Sequence, residues 1–136
     1  MQISLTQLQG YNVMYKLLDQ YHKETNLDDL AVLLGAMCFL IDGSTADPAI
    51  WHDWLDAIQN KKILTKQEAF DGMISFFEIY QDIGPSDDVK AFLDEIYLAK
   101  DCNDIRFPLI REWNLYLKEV LREPEGSRKY LTFVKK

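Results

Sequence analysis

Residues 5–21 read LTQLQGYNVMYKLLDQY and residues 64–80 read LTKQEAFDGMISFFEIY. Laid over one another at an offset of 59, Leu5-Thr6 meets Leu64-Thr65, Met14 meets Met73 and Tyr21 meets Tyr80. The offset runs on without a gap, placing Asp28-Asp29 on Asp87-Asp88, Leu34 on Leu93, Asp42 on Asp101 and Trp54 on Trp113. Self-similarity at a fixed period marks a duplicated supersecondary unit. The expected architecture is all-α: a single domain of two tandem three-helix repeats, residues 5–58 and 64–117, with a short extended C-terminal tail over 122–136.

Each repeat opens on a capping box, Thr6-x-x-Gln9 and Thr65-x-x-Glu68, in which a hydroxyl and a side-chain carbonyl satisfy each other's orphan amides. Behind the first box, Leu8, Tyr11, Met14, Leu17, Leu18 and Tyr21 recur by threes and fours, the stripe of an amphipathic helix. Phe70, Met73, Phe76, Phe77, Tyr80 and Ile83 repeat it. The first helix is expected to end near Thr25-Asn26 and its copy at Gly84-Pro85. The second helix of each unit begins with paired acids, Asp28-Asp29 and Asp87-Asp88, at the end where the helix dipole is positive. Ser86 is expected to cap the later one. Asp47-Pro48 reads as an N-cap followed by proline at the first helical position, and Pro108 opens the corresponding helix. Gln59 to Ile63 is a short polar connection, so the units should pack as one body.

Six helices in 136 residues can bury a core without disulfides or metals. A net charge of −7 argues against a nucleic-acid binder, which carries a basic footprint. The charge is uneven. Residues 1–59 hold Lys16 and Lys23 against eight acids, whereas residues 118–136 hold six bases against three. Cys38 and Cys102 are too few for a disulfide framework or a metal site, and Cys38 reads as a small buried hydrophobe. The first residues have no charged and apolar leader pattern, and no apolar run is long enough to span a membrane, so a cytoplasmic location is expected.

Signals for catalysis are missing. The loop Asp42-Gly43-Ser44-Thr45-Ala46-Asp47 has the look of a calcium loop but lacks the third and fifth oxygen ligands and the closing glutamate. Gly43 reads as a positive-φ turn residue. His22 and His52 each stand alone on a helix. His52-Asp53 has no nucleophile elbow beside it, and phosphate loops and zinc spacings are absent. No enzyme activity, no cofactor and no metal are expected. Trp54, repeated as Trp113, reads as core, and Trp51 does too.

The run Leu33-Leu34-Gly35-x-Met37 and Asp42-Gly43-Ser44-x-Ala46-Asp47-Pro48-Ala49-x-Trp51-x-Asp53-Trp54 resembles small acidic helical immunity proteins of bacteria. These are paired with polymorphic toxins, including those of contact-dependent growth inhibition systems. The resemblance covers residues 11–58 best and continues, diluted, through the second repeat. There Cys102-Asn103-Asp104-Ile105-Arg106-Phe107 replaces the Gly-Ser-Thr-Ala-Asp-Pro loop. It implies a protein that binds a toxin domain, expected to be a basic nuclease, and blocks it stoichiometrically without catalysis. The other reading is a helical-repeat interaction or adaptor module unrelated to toxins. Partner contacts are expected at Asp42, Ser44, Thr45, Asp53 and Asp56, and at Asp101 and Asp104 in the second repeat. No structural duty is foreseen for Asp42, Asp53 or Asp56, and the last two share a helical face.

Overall fold

The computed structural model of the chain describes residues 3–100 and 108–123. In order, the elements are β1 (Ser4–Thr6), α1 (Gln7–Thr25), α2 (Asp28–Met37), α3 (Pro48–Ala57), β2 (Ile63–Thr65), α4 (Lys66–Ile83), α5 (Asp87–Lys100) and α6 (Pro108–Arg122). The six expected helices are present. The expected tail lies outside the described residues beyond Glu123, as do Asp101, Cys102 and Asp104.

The helix signals act locally as the sequence implies. Thr6 accepts from the Gln9 amide at 3.1 Å while its own amide donates to Gln9 Oε1 at 2.9 Å. Thr65 and Glu68 form the same reciprocal pair at 3.0 and 2.9 Å. Asn26 takes the left-handed conformation at the end of α1, φ 58°, and donates its amide to the His22 carbonyl at 2.7 Å. The Asp47 carboxylate accepts from the Ala49 amide at 3.1 Å, with Pro48 behind it needing no partner for an amide it lacks. Ser86 Oγ reaches the Val89 amide at the start of α5.

Two short strands depart from the all-α expectation. β1 and β2 pair antiparallel with Leu5 opposite Leu64, Ser4 opposite Thr65 and Thr6 opposite Ile63. The two central leucines are fully buried, whereas Ser4, Ile63 and Thr65 face solvent, a period-two alternation three residues long. Thr6 and Thr65 each end a strand and cap a helix, so the strands are hidden in front of a stronger helical signal.

Packing crosses the middle of the chain. α3 lies along α4, α1 lies along α6, and α2 meets α5. Trp54, with none of its surface exposed, sits where α1, α3 and α4 come together and donates its indole N–H to the Gln7 carbonyl at 3.0 Å. The ring fits because α1 and α4 offer glycine there. A Cβ at Gly10 would stand 3.1 Å from the indole, and one at Gly72 would stand 3.5 Å from it and 2.6 Å from Ile58 Cγ2. Trp54 meets Tyr11 edge-on at 6.1 Å, and the buried Trp113 meets Phe70 edge-on at 5.0 Å. Tyr11 and Phe70 are themselves counterparts at the offset of 59.

Candidate functional site: the hairpin loop and the third helix

Polar loop residues in water gain little from ordering themselves unless the backbone has somewhere to send its hydrogen bonds. Residues 38–47 have such partners. Phe39 and Thr45 form an antiparallel bridge. Leu40 N donates to Ser44 O at 2.7 Å, Gly43 N to Leu40 O at 2.9 Å and Ala46 N to Cys38 O at 2.7 Å. The loop is a tight hairpin whose turn is closed by Gly43 at φ 91°, a region that favours glycine. Asp47 N then donates to Ala36 O at 3.1 Å, tying the base of the hairpin to the end of α2.

These bonds give three of the expected contact residues partners within the hairpin. The Asp42 carboxylate accepts from both the Ser44 hydroxyl, at 2.7 Å, and the Ser44 amide, at 2.9 Å. Those two donors hold the Asp42 carboxyl below the ordinary aspartate range. Asp42 therefore does have a structural duty that the sequence did not reveal: it locks the turn. Asp42 and Ser44 remain exposed. Thr45 does not. It is 1% exposed, and its hydroxyl donates to the Asp47 carbonyl at 2.7 Å, so it braces the hairpin from inside.

The residue left standing at the tip is apolar. Ile41 is 82% exposed, and Leu40 beside it is also exposed. A sequence reading that sorted the loop by its charged and hydroxyl side chains passes over both. The available signal was a pair of large aliphatic residues placed immediately before a turn-forming Asp-Gly.

On α3, Asp53 is half-buried and Asp56 is exposed. Burial pushes the Asp53 carboxyl up, the neighbouring Asp56 and Asp47 carboxylates push it further, and His52 opposes them. The three acids therefore form one negative stretch along the helix, as the shared-face spacing of Asp53 and Asp56 implies. Asp101 and Asp104 lie outside the described residues.

Between the hairpin and α3 opens a cleft of about 510 Å³. The hairpin supplies Gly43, Ser44 and Thr45, the start of α1 supplies Gln7 and Leu8, and α3 supplies Pro48, Trp51 and His52. Phe39 forms part of its floor, and Lys62 stands at the approach to β2. Trp51, expected in the core, packs against it but is only partly buried and lines the cleft. Its ring is held by Tyr11 at 5.2 Å and Phe39 at 6.1 Å between ring centres. Tyr11 is in turn held by its hydroxyl, which donates to the Met37 carbonyl at 2.7 Å.

Among the described residues no group of three or more His, Cys, Asp or Glu is placed to hold a metal ion. Among them, too, no helix is long and apolar enough to cross a membrane. No family model, curated protein or solved structure matches the chain.

Proposed function

We propose that the chain is an immunity-type inhibitor acting in the bacterial cytoplasm. It binds a cognate toxin domain, a basic nuclease, and blocks it by stoichiometric non-covalent association. The observation that carries this reading is the pinned hairpin with Ile41 exposed at its tip and acids on the turn and on α3. A preformed turn loses little conformational freedom on binding, which favours affinity. An apolar anchor surrounded by charge fits the usual division of labour, in which a few desolvated side chains carry the energy. Peripheral acids speed encounter with a basic partner. The resemblance of residues 33–54 to immunity proteins supports the toxin as that partner. Nuclease toxins are basic because they hold phosphate backbones.

Co-expression with a toxin domain encoded beside this gene tests the reading, with rescue of growth as the expected result. Association kinetics with that domain then locate the interface. Asp42→Asn, Asp53→Asn and Asp56→Asn combined should slow association and flatten its dependence on salt. Asparagine at 42 keeps a side-chain acceptor for the turn. Ile41→Ala should instead speed dissociation. Failure to rescue against any neighbouring toxin would refute the function. Rescue with unchanged kinetics in both variants would move the interface elsewhere, with the acids Asp101 and Asp104 next to be tested.

A further inference from the structure

The cleft beside the hairpin differs in charge from the surface around it. The chain carries 22 acidic residues against 15 basic ones, yet among the described residues no carboxylate lines this recess. The residues there that can bear charge are His52 and Lys62, both exposed. Lys61 spends its ammonium on Glu68, whereas Lys62 has no carboxylate within ion-pairing distance among the described residues. The floor is aromatic and rigid, since Trp51 is backed by Tyr11 and Phe39. At about 510 Å³ the space falls within the range of ligand pockets, roughly 300–1,000 Å³.

We propose that this cleft binds a small aromatic molecule bearing a carboxylate, the ring lying against Trp51 and the acid group meeting Lys62. The argument is one of complementarity. Among the described lining residues a cationic ligand would meet Lys62 and no carboxylate, and a purely apolar one would leave Lys62 unused. An aromatic anion uses both the Trp51 indole that lines the cleft and the Lys62 ammonium, and stacking against a preorganised ring costs little reordering. This site goes beyond the inhibitor reading and does not depend on it.

Three probes with one ring system separate the possibilities: indole-3-acetate, neutral 3-methylindole and cationic tryptamine. Each is titrated by calorimetry or ligand-observed NMR into the full chain, wild type and Lys62→Gln. Indole-3-acetate is expected to bind saturably and about fivefold tighter than 3-methylindole, the fold-change that a partly exposed ion pair supplies. Tryptamine should bind weakest. Lys62→Gln should remove the advantage of the acetate while leaving 3-methylindole unchanged, a pattern that general loss of structure would not produce. Equal binding of the three probes would overturn the proposal and mark the cleft as a seat for any apolar group, including a side chain of a protein partner. Tightest binding by tryptamine, an unaltered acetate affinity in Lys62→Gln, or no saturable acetate binding at low-millimolar concentration would each overturn it as well.

Discussion

The Asp88 carboxylate accepts a hydrogen bond from the backbone amide of Asp29 at 2.9 Å, so an acid at the start of α5 satisfies an orphan amide at the start of α2. The two residues are counterparts at the offset of 59. Asp29 turns its own carboxylate toward α5, where it accepts from the Ser86 hydroxyl at 2.7 Å. The paired acids at these helix starts therefore serve each other's helices as well as their own dipoles. Asp88→Ala should cost about 0.5–2 kcal/mol, the range for a lost N-cap acceptor, and Asp88→Asn clearly less because it keeps an oxygen. Urea unfolding of the three proteins checks the order. Equal losses for both variants would show that charge, and not the acceptor, matters.

Glycines at two helical positions should respond with opposite sign to the same substitution. At Gly72 a methyl group would stand 2.6 Å from Ile58 Cγ2, wedged beside Trp54. Overpacking of that kind costs about 1–3 kcal/mol, which outweighs the roughly 1 kcal/mol that alanine gains in a helix. Gly72→Ala should destabilise, and adding Ile58→Ala should recover part of the loss beyond additivity. At Gly35, in α2, nothing lies within 4 Å of the new carbon. Gly35→Ala should raise stability by about 0.4–1 kcal/mol.

Truncating either repeated tryptophan should be severe. Trp54 and Trp113 are 0% and 2% exposed, and each meets an aromatic ring edge-on. Each change to alanine should cost about 3–5 kcal/mol. Trp54→Phe isolates a further component, because it leaves the Gln7 carbonyl without its indole donor. A loss under about 1 kcal/mol for Trp113→Ala, judged by thermal and urea midpoints, would contradict its place in the core.

Acidification should reveal two carboxyls that work against each other. Asp42 is held below the ordinary value by its bonds from Ser44, so its contribution is present above the unfolded pKa of about 3.9 and is lost as pH falls through the lower folded value. Asp53 is raised, chiefly by burial and then by Asp56 and Asp47, so its charge weakens the fold at neutral pH. That penalty fades as pH falls through the raised value. Asp53→Asn should therefore stabilise at neutral pH by no more than about 0.5 kcal/mol, the usual ceiling for such a surface change. The gain should disappear below about pH 3.9, where the carboxyl is protonated folded or unfolded. A variant less stable than wild type at neutral pH would reverse the sign of this account.

The helices, their caps and the burial of Trp54 were legible in the sequence because each rests on residues close together in the chain. Thr6 and Gln9, or Asp47 and Pro48, announce a helix start without any knowledge of what packs on it. The strands were not legible, since Leu5 and Leu64 become strand residues only by meeting each other across nearly half the chain. The loop was half read. Gly43 and Asp47 showed their backbone roles through residue type, but the inward turn of Thr45 and the lock between Asp42 and Ser44 depend on how the hairpin closes. The apolar tip at Ile41 and the partial exposure of Trp51 escaped notice for one reason. Sequence pattern assigns large apolar side chains to the core, and only three-dimensional placement shows which are left outside.

The placement of α3 on α4 and of α6 on α1 means that neither half of the chain can complete a core alone. Residues 1–59 would leave α1 without α6, and the later fragment would leave Gly72 facing water where Ile58 and Trp54 belong. Cutting the exposed turn at Gln59-Asn60, where both residues have positive φ, should thus yield two pieces that are poorly ordered apart and reassemble when mixed. The intact molecule should unfold in one step, because there is no half to fall away first. A protein built this way can be split into a pair of complementing fragments, each silent until it finds the other.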